Sequence, residues 1–151
     1  MTINWMNQLA PLRRIAFDSN ALIYFLEDRQ PYVNYVAQAV SLMDSGQAIG
    51  IISTVAEMEL LVKPMREQNT VSLGRIEIFL QQQHNLNVRS VDRIVAQRAA
   101  EVRVRTRLAP LDSIIVATAL EEQCEVIIGN DSVIASRALG IPYLYLDDYI
   151  S

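Results

Sequence analysis

The sequence predicts a single α/β domain of three layers, in which a mainly parallel central sheet is flanked by helices. Short apolar segments alternate with longer segments whose apolar residues recur every three or four positions, and these are the patterns of strands and helices. One or two helices separate each strand from the next, and connections of this length join parallel strands. The 151 residues match the size of one domain and contain no linker-like segment. We therefore expect residues 1–151 to form one unit.

The first half of the chain is predicted to contain two strands, each followed by two helices. In chain order these are a strand over 14–18, helices over 20–26 and 31–45, a strand over 48–53, and helices over 55–63 and 70–83. Pro31 and Gly46 bound the second helix, because proline suits the first turn of a helix and glycine the position after its end.

The helix over 55–63 carries two specific expectations. Its apolar residues recur at helical spacing, which predicts a buried stripe formed by Val55, Met58, Leu61, Val62 and Met65. At its start, Thr54 and Glu57 fit a capping box, in which each side chain satisfies a backbone N–H group of the other residue. A structural role for Glu57 follows from this second expectation.

The second half of the chain continues the alternation. It is predicted to contain a strand over 86–90, helices over 92–107 and 111–123, a strand over 126–129, a helix over 132–139 and a strand over 142–146. Val95, Ala99 and Val102 form the buried stripe of the helix over 92–107. Gly140 marks the end of the helix over 132–139.

The composition excludes several classes of protein. With one cysteine, Cys124, and one histidine, His84, the chain has no internal disulfide and no zinc site built from thiolates or imidazoles. A net charge of −4 argues against a general polyanion binder. No apolar run reaches the roughly 18–20 residues of a membrane span, and the N-terminus lacks the apolar region of a secretory signal. We expect a cytoplasmic protein without membrane contact, with Cys124 in the core and His84 in solvent.

Four acidic residues fall at or just after the carboxyl ends of predicted strands, where α/β proteins bind ligands. They are Asp18, Glu59, Asp112 and Asp131. Apart from Lys63, no basic residue accompanies them locally, and converging carboxylates repel unless a cation lies between them. Oxygen ligands without cysteine or histidine favour Mg²⁺ or Mn²⁺. The alternative for each acid is capping of a helix N-terminus, an interpretation that suits Asp131 best.

The segments around these acids resemble the four motifs of PIN domains. They are FDSNALIY at 17–24, ST at 53–54 followed by ELLVKP at 59–64, LDSIIVATA at 111–119, and IGND at 128–131. The motifs occur in the order of the family and with its alternation of strands and helices. Gly129 is a departure, because the family usually has Thr or Ser there, and the side-chain hydroxyl is missing.

The resemblance implies a divalent-metal-dependent endoribonuclease, of the kind found in VapC-like toxins. It assigns Asp18 and Asp112 to metal binding, and Glu59 and Asp131 to metal binding or to positioning of a metal-bound water. Asn20, Ser53 and Asn130 would position these groups or the substrate. The implied cofactor is Mg²⁺ or Mn²⁺, and the implied partners are an RNA substrate, an antitoxin protein and a second copy of the chain in a homodimer.

Arginines are concentrated in one predicted helix, and one of them lies near a candidate acid. Residues 89–107 contain six arginines but only two acids. Those on the helix flank its buried stripe, as the residues of a solvated face do. Arg107 lies five residues before Asp112 and is the candidate for contact with an RNA phosphate.

Other functions of an α/β domain remain as alternatives. A haloacid-dehalogenase phosphatase requires an Asp two residues after Asp18, where this chain has Asn20. A receiver domain requires a lysine at a late strand end, whereas Lys63 lies within a helix. A PIN-like domain that only binds RNA or protein is the remaining alternative, and it would be indicated by loss of an acid.

Overall fold

The structure is a computed structural model that describes residues 4–150, and it confirms the α/β class. The strands are β1 (Arg14–Phe17), β2 (Ile49–Ser53), β3 (Leu86–Arg89), β4 (Val126–Gly129) and β5 (Tyr143–Tyr145). The helices are α1 (Trp5–Leu9), α2 (Ser19–Leu26), α3 (Tyr32–Asp44), α4 (Thr54–Arg66), α5 (Thr70–Gln82), α6 (Arg93–Thr106), α7 (Pro110–Glu121) and α8 (Ser132–Ala135). A 3₁₀ turn over Leu146–Asp148 follows β5.

All five strands are parallel, in the order β3-β2-β1-β4-β5. The chain builds outward from β1 to β3 and then returns to the other side of β1 with β4, so the order reverses between β1 and β4. Ile15 pairs with Val126 and Phe17 with Ile128 across this boundary. Ligands of open α/β sheets bind at such a reversal, outside the carboxyl ends of the strands.

Two apolar cores cover the two faces of the sheet. On β1, Ile15 and Phe17 enter the core shared with α1 to α5, whereas Ala16 enters the core shared with α6 to α8. This alternation follows from the two-residue period of a strand. With helices on both sides the domain has three layers, as predicted.

One helix was not predicted, and another is shorter than predicted. The helix that was not predicted is α1, where the side chain of Asn4 accepts a hydrogen bond from the N–H of Met6. The helix expected to reach residue 139 ends at Ala135, and beyond it Arg105 binds the carbonyls of Ala138 and Leu139 at 3.0 Å each. Through these two hydrogen bonds, Arg105 attaches the segment that follows α8 to α6.

The predicted buried stripe of α4 was wrong. Its buried residues are Ala56, Leu60 and Pro64, which recur every four positions. Met58 is 45% exposed, Val62 49% and Met65 58%. Apolar residues line two sides of this helix, so periodicity alone did not select the side that packs on the sheet.

The predicted capping box was also wrong. The helix begins one residue earlier than expected, and the N-cap is Ser53, whose Oγ accepts from the N–H of Val55 at 3.1 Å. The hydroxyl of Thr54 instead accepts from the N–H of Val91 at 3.3 Å. Glu57 is therefore one position too far along the helix to complete the box.

Candidate active site

Asp18 follows β1 directly and is 5% exposed. Its Oδ1 accepts from the N–H of Ser19 at 2.8 Å, and its Oδ2 accepts from the hydroxyl of Tyr143 at 3.0 Å. Burial raises the pKa of Asp18 to about 6, against the lowering effect of these two hydrogen bonds, and the charges of Glu59 and Asp112 raise it further. Asp18 is thus a buried carboxylate that two hydrogen bonds fix at the carboxyl end of β1.

Glu59 and Asp112 are half-buried residues on helices that begin near the same edge. Glu59 lies in the second turn of α4, and Asp112 lies in the first turn of α7 after Pro110. Burial raises the pKa of Asp112, and the charges of Asp131 and Glu59 raise it further. The four predicted acids thus act on one another electrostatically, although they are separated by up to 113 positions in the sequence.

Asp131 caps α8, as the structural alternative expected. Its Oδ1 accepts from the N–H groups of Val133 and Ile134 at 2.9 and 3.0 Å. Its backbone N–H donates to the hydroxyl of Tyr143 at 3.0 Å. The cap uses one of the two carboxylate oxygens of Asp131. The charge of Asp131 also contributes to the raised pKa of Asp112.

Two of the three residues assigned to positioning connect the first and fourth motifs. The side-chain oxygen of Asn20 accepts from the backbone N–H of Asn130 at 3.0 Å. Asn130 in turn accepts from the N–H of Asp147 at 2.9 Å and donates to the hydroxyl of Tyr24 at 3.2 Å. Ser53 is buried and caps α4. Its place in the structure is therefore that of a cap.

The remaining sequence candidates lie apart from the acids or on the surface. Arg107 is exposed and ends α6 in the left-handed backbone region, at φ 62°. His84 is exposed, as expected. Cys124 is half-buried against the core of the second face, and burial raises the pKa of its thiol to about 12. A thiol that stays protonated is a poor nucleophile.

None of the four acids has a cationic partner within residues 4–150. The six ion pairs in this part of the chain involve other carboxylates, namely Glu27, Asp92, Glu101 and Glu122. Lys63, one turn after Glu59, pairs with Glu27 at 3.4 Å.

The donor set fits a divalent cation in charge and chemistry, because it offers hard oxygens whose mutual repulsion is uncompensated. In residues 4–150, however, no three acidic, histidine or cysteine side chains stand close enough to hold one ion. A metal site built from these acids would therefore require their side chains to rotate. The deeply buried Asp18 is fixed by its hydrogen bonds, whereas Glu59 and Asp112 are half-buried and have more room.

Tyr143 is the residue that sequence reasoning missed. Its hydroxyl contacts both Asp18 and Asp131, yet it lies on β5, 12 residues after Asp131. No motif marks it, and its alternation with Leu144 is only that of an ordinary strand. A signal was nevertheless present in Gly129, which leaves beside Asp18 a space that a larger side chain would fill.

No helix in the described part of the chain is both long and apolar enough to cross a lipid bilayer.

Comparison with known proteins places the chain in a family. No curated protein sequence matches the chain. Several solved structures are similar in fold, including the three that follow. VapBC2 from Rickettsia felis, bound to promoter DNA, has a TM-score of 0.67 at 14% identity, covering 86% of this chain and 96% of that one. A toxin–antitoxin complex from Klebsiella pneumoniae has a TM-score of 0.61 at 21% identity. The match covers 87% of this chain and 98% of that one.

The third similar structure is VapC20 from Mycobacterium tuberculosis, described as a toxin that cleaves the sarcin-ricin loop. It has a TM-score of 0.61 at 14% identity, covering 81% of this chain and 93% of that one. The sequence pattern of the PIN domain matches residues 15–138, which include all four acids. The chain therefore belongs to the PIN domain family.

Proposed function

We propose that this protein is a divalent-metal-dependent endoribonuclease that hydrolyses RNA phosphodiester bonds, built as a single PIN domain. The observation that carries the proposal is the set of four acids at the reversal point of the sheet. They have no cationic partners among the described residues, and the charges of neighbouring acids contribute to the raised pKa values of Asp18 and Asp112. Without a cation, mutual repulsion of the carboxylates destabilises the folded protein. With a cation between them, the same carboxylates form a binding site.

The proposed roles follow from the burial and position of each acid. Asp18 and Asp112, whose pKa values are raised, would bind Mg²⁺ or Mn²⁺ directly. Glu59 and Asp131 would bind the metal or hold a water molecule bound to it. When bound, the metal lowers the pKa of that water and neutralises charge on the phosphate.

The surrounding residues keep these acids in place. Asn20 holds the backbone of Asn130 and so fixes the turn that carries Asp131. Ser53 fixes the start of α4, which carries Glu59. Arg107, exposed just before α7, would contact an RNA phosphate.

Cleavage of a structured RNA by the purified protein tests the proposal. We expect cleavage with Mn²⁺ and none with EDTA, and a loss of about 100-fold or more in Asp18→Asn and Asp112→Asn. Asp28→Asn makes the same chemical change at an exposed site and should cleave normally. Cleavage that survives EDTA or either site variant would contradict the assignment, and RNA binding without cleavage would favour a non-catalytic PIN domain.

We further propose an antitoxin as partner. The similar structures from Rickettsia felis and Klebsiella pneumoniae are toxin–antitoxin complexes. In this chain Met58, Val62 and Met65 expose an apolar face on α4, which also carries Glu59. A protein encoded by a neighbouring gene should bind the purified chain and inhibit cleavage. Val62→Glu should weaken that inhibition without changing cleavage by the free protein.

Two further parts of the proposal concern the state of the protein in the cell. We propose a homodimer, and sedimentation equilibrium at micromolar concentration should give twice the mass of the chain. A monomer at all concentrations would contradict it. The cytoplasmic location expected from the sequence stays a prediction, which fractionation of cells that produce the protein would check.

A further inference from the structure

Gly129 leaves an open space next to Asp18, and Tyr143 fills it. A Cβ atom added at Gly129 would lie 2.2 Å from the hydroxyl oxygen of Tyr143, 2.8 Å from its Cζ and 2.7 Å from Cβ of Asp18. No side chain fits there without displacing one of these neighbours. The tyrosine hydroxyl thus occupies the position that a side chain at residue 129 would otherwise take.

The path of the tyrosine ring explains how the hydroxyl reaches this space. In the sheet Tyr143 pairs with Ile127, two residues before Gly129. Side chains lean along their strand, and a phenol is long enough to extend from this position to the carboxyl end of β4. A shorter side chain at 143 would stop before it reached Asp18.

The hydrogen bonds of the hydroxyl have a defined direction. The backbone N–H of Asp131 can only donate, so the tyrosine oxygen accepts from it at 3.0 Å. The hydroxyl proton is then free to be donated to Oδ2 of Asp18, also at 3.0 Å. With Ser19 donating to Oδ1, each oxygen of Asp18 receives one donor and keeps lone pairs for another partner.

We infer that Tyr143 is a positioning residue, whose hydroxyl holds the carboxylate of Asp18 and the backbone of Asp131 in the arrangement that binds the divalent metal. This inference rests on the proposed function. The hydroxyl ties the acid after β1 to the acid after β4, and Gly129 is required because it leaves room for the contact. Partners of this kind orient metal ligands, and their loss usually weakens metal binding 10- to 100-fold.

Replacing the hydroxyl while keeping the ring tests the inference. We expect Tyr143→Phe to weaken Mn²⁺ binding about tenfold in calorimetry. The Mn²⁺ concentration for half-maximal RNA cleavage should rise to a similar extent, with the KM for RNA unchanged. The matched control is Tyr145→Phe, which removes a hydroxyl of the same strand that donates to Asp147 at 3.3 Å. This control should leave Mn²⁺ affinity unchanged.

A second variant displaces the hydroxyl without removing it. Gly129→Ala adds a Cβ in the occupied space and should also weaken Mn²⁺ binding. Gly74→Ala adds a Cβ that meets no atom within 4 Å beyond its own helix backbone and chain neighbours, and it should not weaken Mn²⁺ binding. Thermal melts in EDTA establish that each variant is folded.

The outcomes separate this inference from the proposed function. Normal Mn²⁺ affinity in Tyr143→Phe, in a protein whose wild type binds Mn²⁺ and cleaves RNA, would overturn the role of Tyr143 alone. Equal weakening in Tyr145→Phe would overturn it too, because the effect would then be general to the strand. A wild type that neither binds Mn²⁺ nor cleaves RNA would overturn the proposed function and the inference with it.

Discussion

At the scale of single residues, burial of the Asp18 carboxylate carries a cost in free energy. The side chain is 5% exposed, and its pKa rises from 3.8 to about 6. A difference of this size corresponds to about 3 kcal/mol between the two protonation states. At neutral pH the metal-free protein is therefore less stable than it would be with an uncharged side chain at this position.

The pH dependence of unfolding should reveal this cost. Asp18 binds its proton more tightly in the folded protein, so the resulting stabilisation is complete below pH 3.8 and is lost as the pH rises through about 6. In EDTA, between about pH 4 and pH 7, wild type should lose up to about 3 kcal/mol of unfolding free energy relative to Asp18→Asn. Urea unfolding at several pH values measures this difference.

The control for this experiment is Asp28→Asn, whose carboxylate is exposed. If this variant shows a pH dependence as large as that of Asp18→Asn, the effect is not specific to the buried carboxylate. If the difference in unfolding free energy between wild type and Asp18→Asn does not change with pH, Asp18 ionises as readily in the folded protein as in the unfolded chain.

Glu57 and Glu59 provide a second comparison of neighbouring residues. The charge of Glu59 contributes to the raised pKa of both Asp18 and Asp112. Glu57, by contrast, does not have the capping role that was predicted for it. We expect Glu59→Gln to remove most Mn²⁺-dependent cleavage. Glu57→Gln should retain cleavage and change stability by less than about 0.5 kcal/mol. If Glu57→Gln removes cleavage and Glu59→Gln retains it, our alignment of this segment with the second PIN motif is two residues out of register.

At the scale of elements, the success of sequence reasoning depended on how many faces of a helix are apolar. The buried stripe of α6 was predicted correctly, because Val95, Ala99 and Val102 are flanked by charged residues. On α4 both Leu60 and Val62 belong to apolar rows, and only packing in the folded chain shows that Leu60 is buried. Periodicity identifies the buried side of a helix that has one apolar side. When a helix has two apolar sides, periodicity cannot show which of them is buried.

The end of α6 allows two roles of Arg107 to be separated. A residue with a Cβ at φ 62° is strained, and glycine is not. Arg107→Gly should raise the unfolding free energy by about 1 kcal/mol and, if the arginine contacts phosphate, raise the KM for RNA. Gln123, exposed at φ 55° just beyond α7, provides the control. Gln123→Gly should stabilise the protein without changing KM, and an unchanged KM in Arg107→Gly would rule out the phosphate contact.

At the scale of the whole molecule, the sequence predicted the parallel sheet and the shared edge of the four acids. Both depend on local features, namely short apolar strands and acids at their ends. The strand order, and with it the contact between Tyr143 and Asp18, depends on long-range pairing that no local pattern specifies. For the same reason the sequence indicated a missing hydroxyl at Gly129 but not the residue whose hydroxyl occupies that space.

Metal binding should be visible in the stability of the entire domain. An ion that binds only the folded protein adds RT ln(1 + [L]/Kd), or about 2.7 kcal/mol at a concentration 100 times Kd. Millimolar Mn²⁺ should therefore raise the Tm of wild type. Asp18→Asn should abolish this shift, while its Tm in EDTA equals or exceeds that of wild type because like-charge repulsion is relieved. An unmoved wild-type Tm, with no calorimetric binding, would contradict a metal site.

The position of β4 in the sheet also determines when this site can form. Ile15 pairs with Val126, and the N–H of Asp18 donates to the carbonyl of Ile128 at 2.9 Å, so the contact closes a loop of more than 100 residues. Such distant pairings form slowly and late in folding. A nascent chain that has not yet reached β4 contains Asp18, Glu59 and Asp112 but lacks the strand that brings the fourth acid to them. We therefore expect an emerging chain to remain inactive towards RNA until β4 and Asp131 have been synthesised and β4 has paired with β1.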